Sequence, residues 1–273
     1  MEIDLNNFEK SYTGIYDLYI KPAIFDVGGG HFSETEVDII KDYPNARSVC
    51  ITGCDQRVFE YFIRSYGKQF EAISFFKNKT INDLSLLGTL SGLKYLHFFF
   101  NQKVTSLWDM SNNINLTAIS LDGFSKLKSL KNIETAPCLK YFDISSGGWG
   151  SGIKGLESLK PVVNSTIEHL GVGVVVEDGD YMCLADSKVT TLDVVFGRFT
   201  MDELARMAAM KPDMKGSVSS PYTFGSVTEK GTTTEYIYLC KGKRRLVKGK
   251  DDEKFARYLS EFNSLVKKYK ESS

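Results

Sequence analysis

The stretch with the most enzyme-like spacing in this chain is Gly150-Ser151-Gly152-Ile153-Lys154-Gly155. A GxGxxG run lets backbone come close to a dinucleotide pyrophosphate, and acidic Glu177 stands about twenty residues on, where a ribose hydroxyl would be held. The fingerprint needs a strand directly before it and a crossover helix opening on it. Here the preceding strand should end near Ile144, and Leu156 to Val163 is short and interrupted by Pro161. A nucleotide-dependent enzyme using the Gly150–Gly155 loop is therefore the alternative rather than the main reading. Other chemistry is sparse. The histidines are His31, His97 and His169, and the chain holds no Walker loop, HExxH pair, serine nucleophile elbow or cysteine zinc spacing. No catalytic residue, metal site or cofactor is expected. The cysteines, Cys50, Cys54, Cys138, Cys183 and Cys240, are an odd set without a CxxC, which favours a reducing, cytoplasmic compartment.

Whatever the functional side chains are, a repeat must position them. Leu93-Lys94-Tyr95-Leu96-His97-Phe98-Phe99-Phe100-Asn101 reads Leu-x-x-Leu-x-Phe-x-x-Asn. Twenty-three residues on, the frame gives Leu116, Ile119 and Leu121, and twenty-three further Leu139, Phe142 and Ile144. Twenty-three residues back it gives Phe70, Ile73, Phe75 and Asn78, and twenty-four more Ala46, Val49, Ile51 and Cys54. It returns at Ile167, Leu170 and Val172, and again at Val189, Leu192 and Val194. Positions four and six lie two apart, so on a strand they share one face while positions three, five and seven share the other. After position nine the spacing becomes three, as in Ile81, Leu84, Leu87 and Val104, Leu107, Met110, which suits helical or 3-10 returns. A strand with one short return cannot bury its own apolar face, so neighbouring units must stack into a shared core.

This frame, with its period of about 22 to 24 residues, resembles the bacterial-type leucine-rich repeat. Cys54, Asn78 and Asn101 occupy the ninth position that the family fills with Asn or Cys, whereas Phe124 and Gly147 depart from it. The resemblance implies an α/β fold: a leucine-rich-repeat solenoid over residues 46–195, with a curved parallel sheet and short helical or 3-10 return segments. Residues 1–45 are expected to form an N-terminal cap. A capping box at Ser33 and Glu36 starts a helix there, while Ile15, Leu18 and Ile20 imitate the frame too far ahead of Ala46 for a regular repeat. Residues 196–273 are expected to form a C-terminal cap of a helix opened by Thr200 and Glu203, a hairpin and an amphipathic helix. Gly216 to Thr234 reads as loop or irregular hairpin.

Positions three, five and seven then point onto the concave sheet face. Phe76, Tyr95, His97 and Phe99 gather over the second and third frames, with Asp122, Tyr141 and Asp143 beside them. Trp149, in a glycine-rich insertion, is a further aromatic contact or folds back over the solenoid edge. Aromatic residues on a solvent-facing sheet are hot-spot material, unless a terminal segment covers them. His97 and His169 stand three frames apart, too far for one metal, and Asp143 is two frames from His97, too far for a direct dyad. Charge balances at 34 Lys and Arg against 34 Asp and Glu, with a local surplus in the hairpin at Lys241, Lys243, Arg244, Arg245, Lys248 and Lys250. No aromatic ladder is read beside those cations, so they count as a solvated turn and argue weakly for nucleic acid. The acidic start, Met1-Glu2-Ile3-Asp4, leads to no expected secretory leader, and no run approaches a membrane span. The expectation is a non-catalytic module that binds another protein through the concave face; a bacterial immunity or effector-neutralising role would suit such a chain.

Overall fold

The computed structural model describes residues 16–22, 33–146, 155–195 and 197–272. The chain divides into two compact units, Met1–Lys188 and Val189–Ser273. The frame at Val189, Leu192 and Val194 therefore belongs to the second.

In the first unit the strands are β1 (Leu18–Ile20), β2 (Ser48–Thr52), β3 (Ala72–Phe76), β4 (Tyr95–Asn101), β5 (Ala118–Phe124), β6 (Tyr141–Ser145) and β7 (His169–Val172). They pair in sequence order and every pairing is parallel. Register follows the frame spacing: Val49, Ile73, Leu96, Ile119, Phe142 and Leu170 stand opposite one another across five consecutive pairings. Two residues on, Ile51, Phe75, Phe98, Leu121, Ile144 and Val172 make a second row, and no residue of either row exceeds 1 % exposure. A one-residue slip would turn both rows to the other face, so the apolar pattern itself enforces the register.

Strand β1 departs from the sequence expectation, because Leu18 and Ile20 pair opposite Val49 and Ile51 despite their distance from the first frame. The long connection to β2 holds helix α1 (Glu34–Val37) and a 3-10 turn at Asp38–Asp42, with the Ser33–Glu36 capping box in place. These supply the return segment that the spacing lacked.

The first full return is a true helix, α2 (Gln56–Ser65), capped by the Asp55 carboxylate and burying Val58, Phe59, Phe62 and Ile63. Later returns shrink to 3-10 turns at Ser85–Thr89, Ile133–Thr135 and Met182–Asp186, and to helix α3 (Lys160–Val163). The spacing of Val104, Leu107 and Met110 predicts a helical or 3-10 return as well, but 102–117 is irregular. Within it the Asn113 amide donates to the Leu87 and Leu90 carbonyls of the preceding return at 2.8 and 3.0 Å and accepts from Trp108 Nε1 at 2.8 Å. One buried side chain thereby ties the irregular segment to the return before it.

The second unit begins with β8 (Thr191–Val194) and helix α4 (Met201–Met210), whose Thr200–Glu203 capping box is formed. The frame spacing persists past the point where the sequence pattern fails. Lys215 bridges parallel to Thr191, and Ser217 donates from its backbone to Asp193 at 2.9 Å. Gly216 to Thr234 contains more order than expected: β9 (Tyr222–Glu229) and β10 (Thr232–Leu239) form a regular antiparallel hairpin, completed by β11 (Leu246–Val247). Lys230 and Gly231, both with positive φ, form the two-residue turn that suits strand twist. Helix α5 (Asp252–Glu271) comes last, packing on α4 and on one face of this sheet.

Candidate functional site

Three rows of side chains stand on the sheet face opposite the two core rows, and they differ in exposure. The third-position row is largely closed. Ser48, Ala72, Ala118 and Tyr141 are buried, and Tyr16 and Tyr95 pack against Ala118 and Tyr141. Asp17, just ahead of β1, accepts from the Arg47 and Ser48 backbone at 2.7 and 2.9 Å. Tyr141 is 6 % exposed and stacks on His169 at 4.5 Å. It is therefore a packed residue and not the presented contact that its frame position suggested, because the pattern shows which face a residue takes and not what lies over it.

The fifth-position row is polar, with Ser74 and Ser120 buried and Cys50, His97 and Asp143 partly so. Ser74 Oγ and His97 Nδ1 lie 2.9 Å apart, and burial pushes the imidazole down to about 4, so it is neutral near pH 7. A hydroxyl on an imidazole is the pairing of a nucleophile with its base. At 2 % exposure, however, Ser74 offers its oxygen no route to a substrate. Asp143 stands two pairings from His97, beyond Ser120, and leans over Gly171, where a Cβ would come 1.9 Å from its Oδ1. Burial likewise raises the neighbouring Cys50 thiol, which disfavours a thiolate.

The seventh row remains partly open. Phe76 and Phe99 stack across β3 and β4 at 4.7 Å with 14° between their planes. Asp122, next in the row, accepts from the Ser145 hydroxyl. Beside them runs an eighth row that alternation alone does not single out. Gly53, Lys77, Phe100 and Gly123 all have φ between 57° and 86°, so each of four successive frames makes the same left-handed step. Glycine takes that conformation without steric cost; Phe100 does not. Its ring lies over Gly123, where an added Cβ would meet Phe100 Cα at 3.2 Å and Cδ2 at 3.3 Å. Lys77 Nζ stands 5.6 Å from the Phe76 ring and Lys79 Nζ 5.5 Å from that of Phe100. The glycines at 53 and 123 are the available signal that position eight is special, and that a phenylalanine there is costly.

The ninth row holds this edge in shape. Asn78 accepts from the Cys54 backbone and donates to the Ile51 carbonyl at 3.0 Å. Asn101 donates to the Asn78 and Ile81 carbonyls, each at 2.9 Å, and accepts from Lys103 and Val104 at 2.9 and 2.8 Å, so all four of its bonds are made. Phe124 fills the same place with no exposure and meets Phe98 edge-on at 5.7 Å. The resulting surface of Phe76, Phe99 and Phe100 with Lys77 and Lys79 can make apolar and cation–π contacts and can attract acidic groups, but it carries no acid–base or nucleophilic pair.

No family model, curated protein or solved structure matched this chain. Among the described residues no cluster of His, Cys, Asp and Glu could hold a metal, and no helix is long and apolar enough to cross a membrane. Trp149 and Gly150 to Lys154 lie outside the described residues. Gly155 has a packing reason to be glycine, since a Cβ would stand 2.2 Å from the Val175 carbonyl oxygen. Beyond Gly155 the chain makes a bridge from Leu156 to Val176 and then the four-residue α3, with no helix that could carry a nucleotide crossover.

Proposed function

We propose that the first unit is a leucine-rich-repeat solenoid acting as a non-catalytic, cytoplasmic module that binds another protein through the edge formed by Phe76, Phe99 and Phe100 with Lys77 and Lys79. The strand order, the frame-spaced register and the asparagines closing successive bends support the repeat reading. The observation carrying the binding reading is Phe100, a bulky ring in a left-handed conformation in a row where Gly53 and Gly123 are glycine and Lys77 is the other residue with a Cβ. Left-handed backbone costs a residue with a Cβ about 1–2 kcal/mol. Retaining that strain for a partly exposed ring makes sense where the ring meets a partner. Phe76 and Phe99 each spend one ring face on the other, and Lys77 lies over the Phe76 ring, which leaves ring edges as contact surface. Those edges carry the positive end of the aromatic quadrupole and, with the two lysines, suit a partner that offers apolar and acidic groups together. His97, Asp122 and Asp143 shape the floor of this surface and do no chemistry.

The test is affinity capture from native cell extract with the full chain as bait, comparing wild type with Phe99→Ala. The expected result is a partner retained by wild type and lost by the variant at an unchanged melting temperature. A partner captured equally by both would remove this edge from the interface. The bacterial immunity or effector-neutralising role belongs to the same class, and the identity of the captured protein decides it.

A further inference from the structure

The second unit carries 16 Lys and Arg against 11 Asp and Glu, and the excess is concentrated between β10 and α5. Two of the carboxylates beside that segment are already engaged in ion pairs. Glu235 pairs with Lys248 at 3.0 Å, and Asp251 with Lys254 at 2.6 Å. Lys241, Lys243, Arg244, Arg245 and Lys250 are exposed and make no ion pair among the described residues. A run of exposed cations that outnumbers its local carboxylates is an electrostatic site that attracts a polyanion.

Spacing alone shows no aromatic companions for these charges, and the fold provides them. Alternation along β10 sends Ile237 and Leu239 to the buried side, where Phe255 of α5 meets Tyr222 at 4.8 Å. Tyr236 and Tyr238 take the opposite face, with ring centroids 6.3 Å apart. The Arg245 guanidinium lies 3.9 Å from the Tyr236 ring centre, joining the aromatic pair to the cationic turn. Tyr238 leans over Gly225, where a Cβ would come 2.9 Å from its Cε2, so the ring lies down against the neighbouring strand. The face thus offers two planar rings, one stacked guanidinium and further cations at its rim.

We propose that this face, Tyr236 and Tyr238 with Arg245 and the Lys241–Arg244 turn, is a binding site for single-stranded nucleic acid. Phosphates would meet the exposed cations, and bases would stack on the tyrosine and arginine planes. An acidic peptide would satisfy the charges and leave the rings without planar partners. An anionic membrane would call for an apolar wedge that this face does not carry. A duplex keeps its bases stacked away from such a surface. This site is independent of the phenylalanine edge of the first unit.

The test is fluorescence anisotropy of a fluorescein-labelled 15-nucleotide oligo-deoxythymidine titrated with the full chain at 50 and 200 mM salt. Engagement of about four cations predicts a slope of roughly −3 for the logarithm of affinity against the logarithm of salt. Lys243→Glu with Arg244→Glu should weaken binding at least tenfold, while Lys131→Glu, an exposed lysine of the first unit, should leave it unchanged. Tyr238→Leu keeps Gly225 covered but removes the stacking plane, and should weaken binding severalfold with the salt slope unaltered. If the charge reversal lowers the melting temperature, the neutral pair Lys243→Gln with Arg244→Gln is read in its place. The proposal is overturned by no binding at 50 mM salt, or by hairpin variants that bind as wild type does. Equal affinity for labelled decaglutamate or for phosphatidylserine vesicles also overturns it, since rings would then contribute nothing.

Discussion

Phe100 holds φ at 67°, and Phe99 beside it stacks on Phe76. The two positions separate strain from contact. Phe99→Ala should cost about 2 kcal/mol or more of partner binding if this edge is an interface hot spot. Phe100→Asn places a residue that tolerates left-handed backbone, so the melting temperature should hold within about 2 °C while partner binding weakens. A large fall in melting temperature for Phe100→Asn, read by circular dichroism, would make the ring a packing residue. His97 gives a test by pH. Burial pushes its imidazole down to about 4 from an ordinary 6.5, so the folded state resists a proton that the unfolded chain accepts. The stabilisation from keeping it neutral is complete above about pH 6.5 and is lost as pH falls toward 4, by on the order of 3 kcal/mol. Urea denaturation at pH 7, 5.5 and 4.5 should show that loss in wild type and much less of it in His97→Gln; parallel profiles would discount the buried imidazole. At this scale sequence legibility is uneven. Alternation tells which face Phe76, Phe99 and Tyr141 occupy, but not that Tyr16 and Tyr95 pack on the Tyr141 row. Phe100 stays hidden because a left-handed step is a backbone property, and only the glycines of nearby frames hint at it.

Among the elements, strands and bends are more legible than returns. A period of two at fixed frame positions determines both the inward face and the register, which is why Leu96, Ile119 and Phe142 can be aligned from spacing, and Leu170 from the pattern after a longer gap. Leu96→Asp would bury an unpaired charge in the fully closed row at a cost of several kcal/mol, comparable with the stability of a domain. An unchanged melting temperature for that variant would contradict the row. Returns are harder, since spacing of three is compatible with helix, 3-10 turn or irregular chain. The 102–117 return is irregular and is tied to the preceding return by Asn113, and nothing in the surrounding sequence announces it. Asn101 supports the opposite inference, that a ninth-position amide is structural. Asn101→Leu would strand the Asn78 and Ile81 carbonyls and the Lys103 and Val104 amides in a buried bend. Each buried unsatisfied group costs about 1–3 kcal/mol, so chemical denaturation should show a loss of roughly 3 kcal/mol or more. A loss under about 1 kcal/mol would mean that the bend relaxes toward the arrangement that Phe124 already uses.

For the whole molecule, the choice lies between a binding protein and an enzyme whose cofactor loop would be Gly150–Gly155. The repeat explains both flanking strands, β6 and β7, by register alone, with Phe142 opposite Leu170 and Ile144 opposite Val172. Gly155 is accounted for by its approach to Val175, and α3 is four residues long. A nucleotide crossover needs a helix presenting free amides to phosphate, and a single turn cannot do that while also spanning back to the sheet. The consequence can be measured on the intact chain. A ligand that binds only the folded state at a hundredfold excess over its dissociation constant adds about 2.7 kcal/mol of stability. For a chain of this size that amounts to a rise in melting temperature of roughly 5–10 °C. Millimolar NAD or ATP should therefore leave the melting temperature of wild type unchanged. A clear rise that disappears in Gly152→Val would place a cofactor in the loop and reverse the ranking of the two classes.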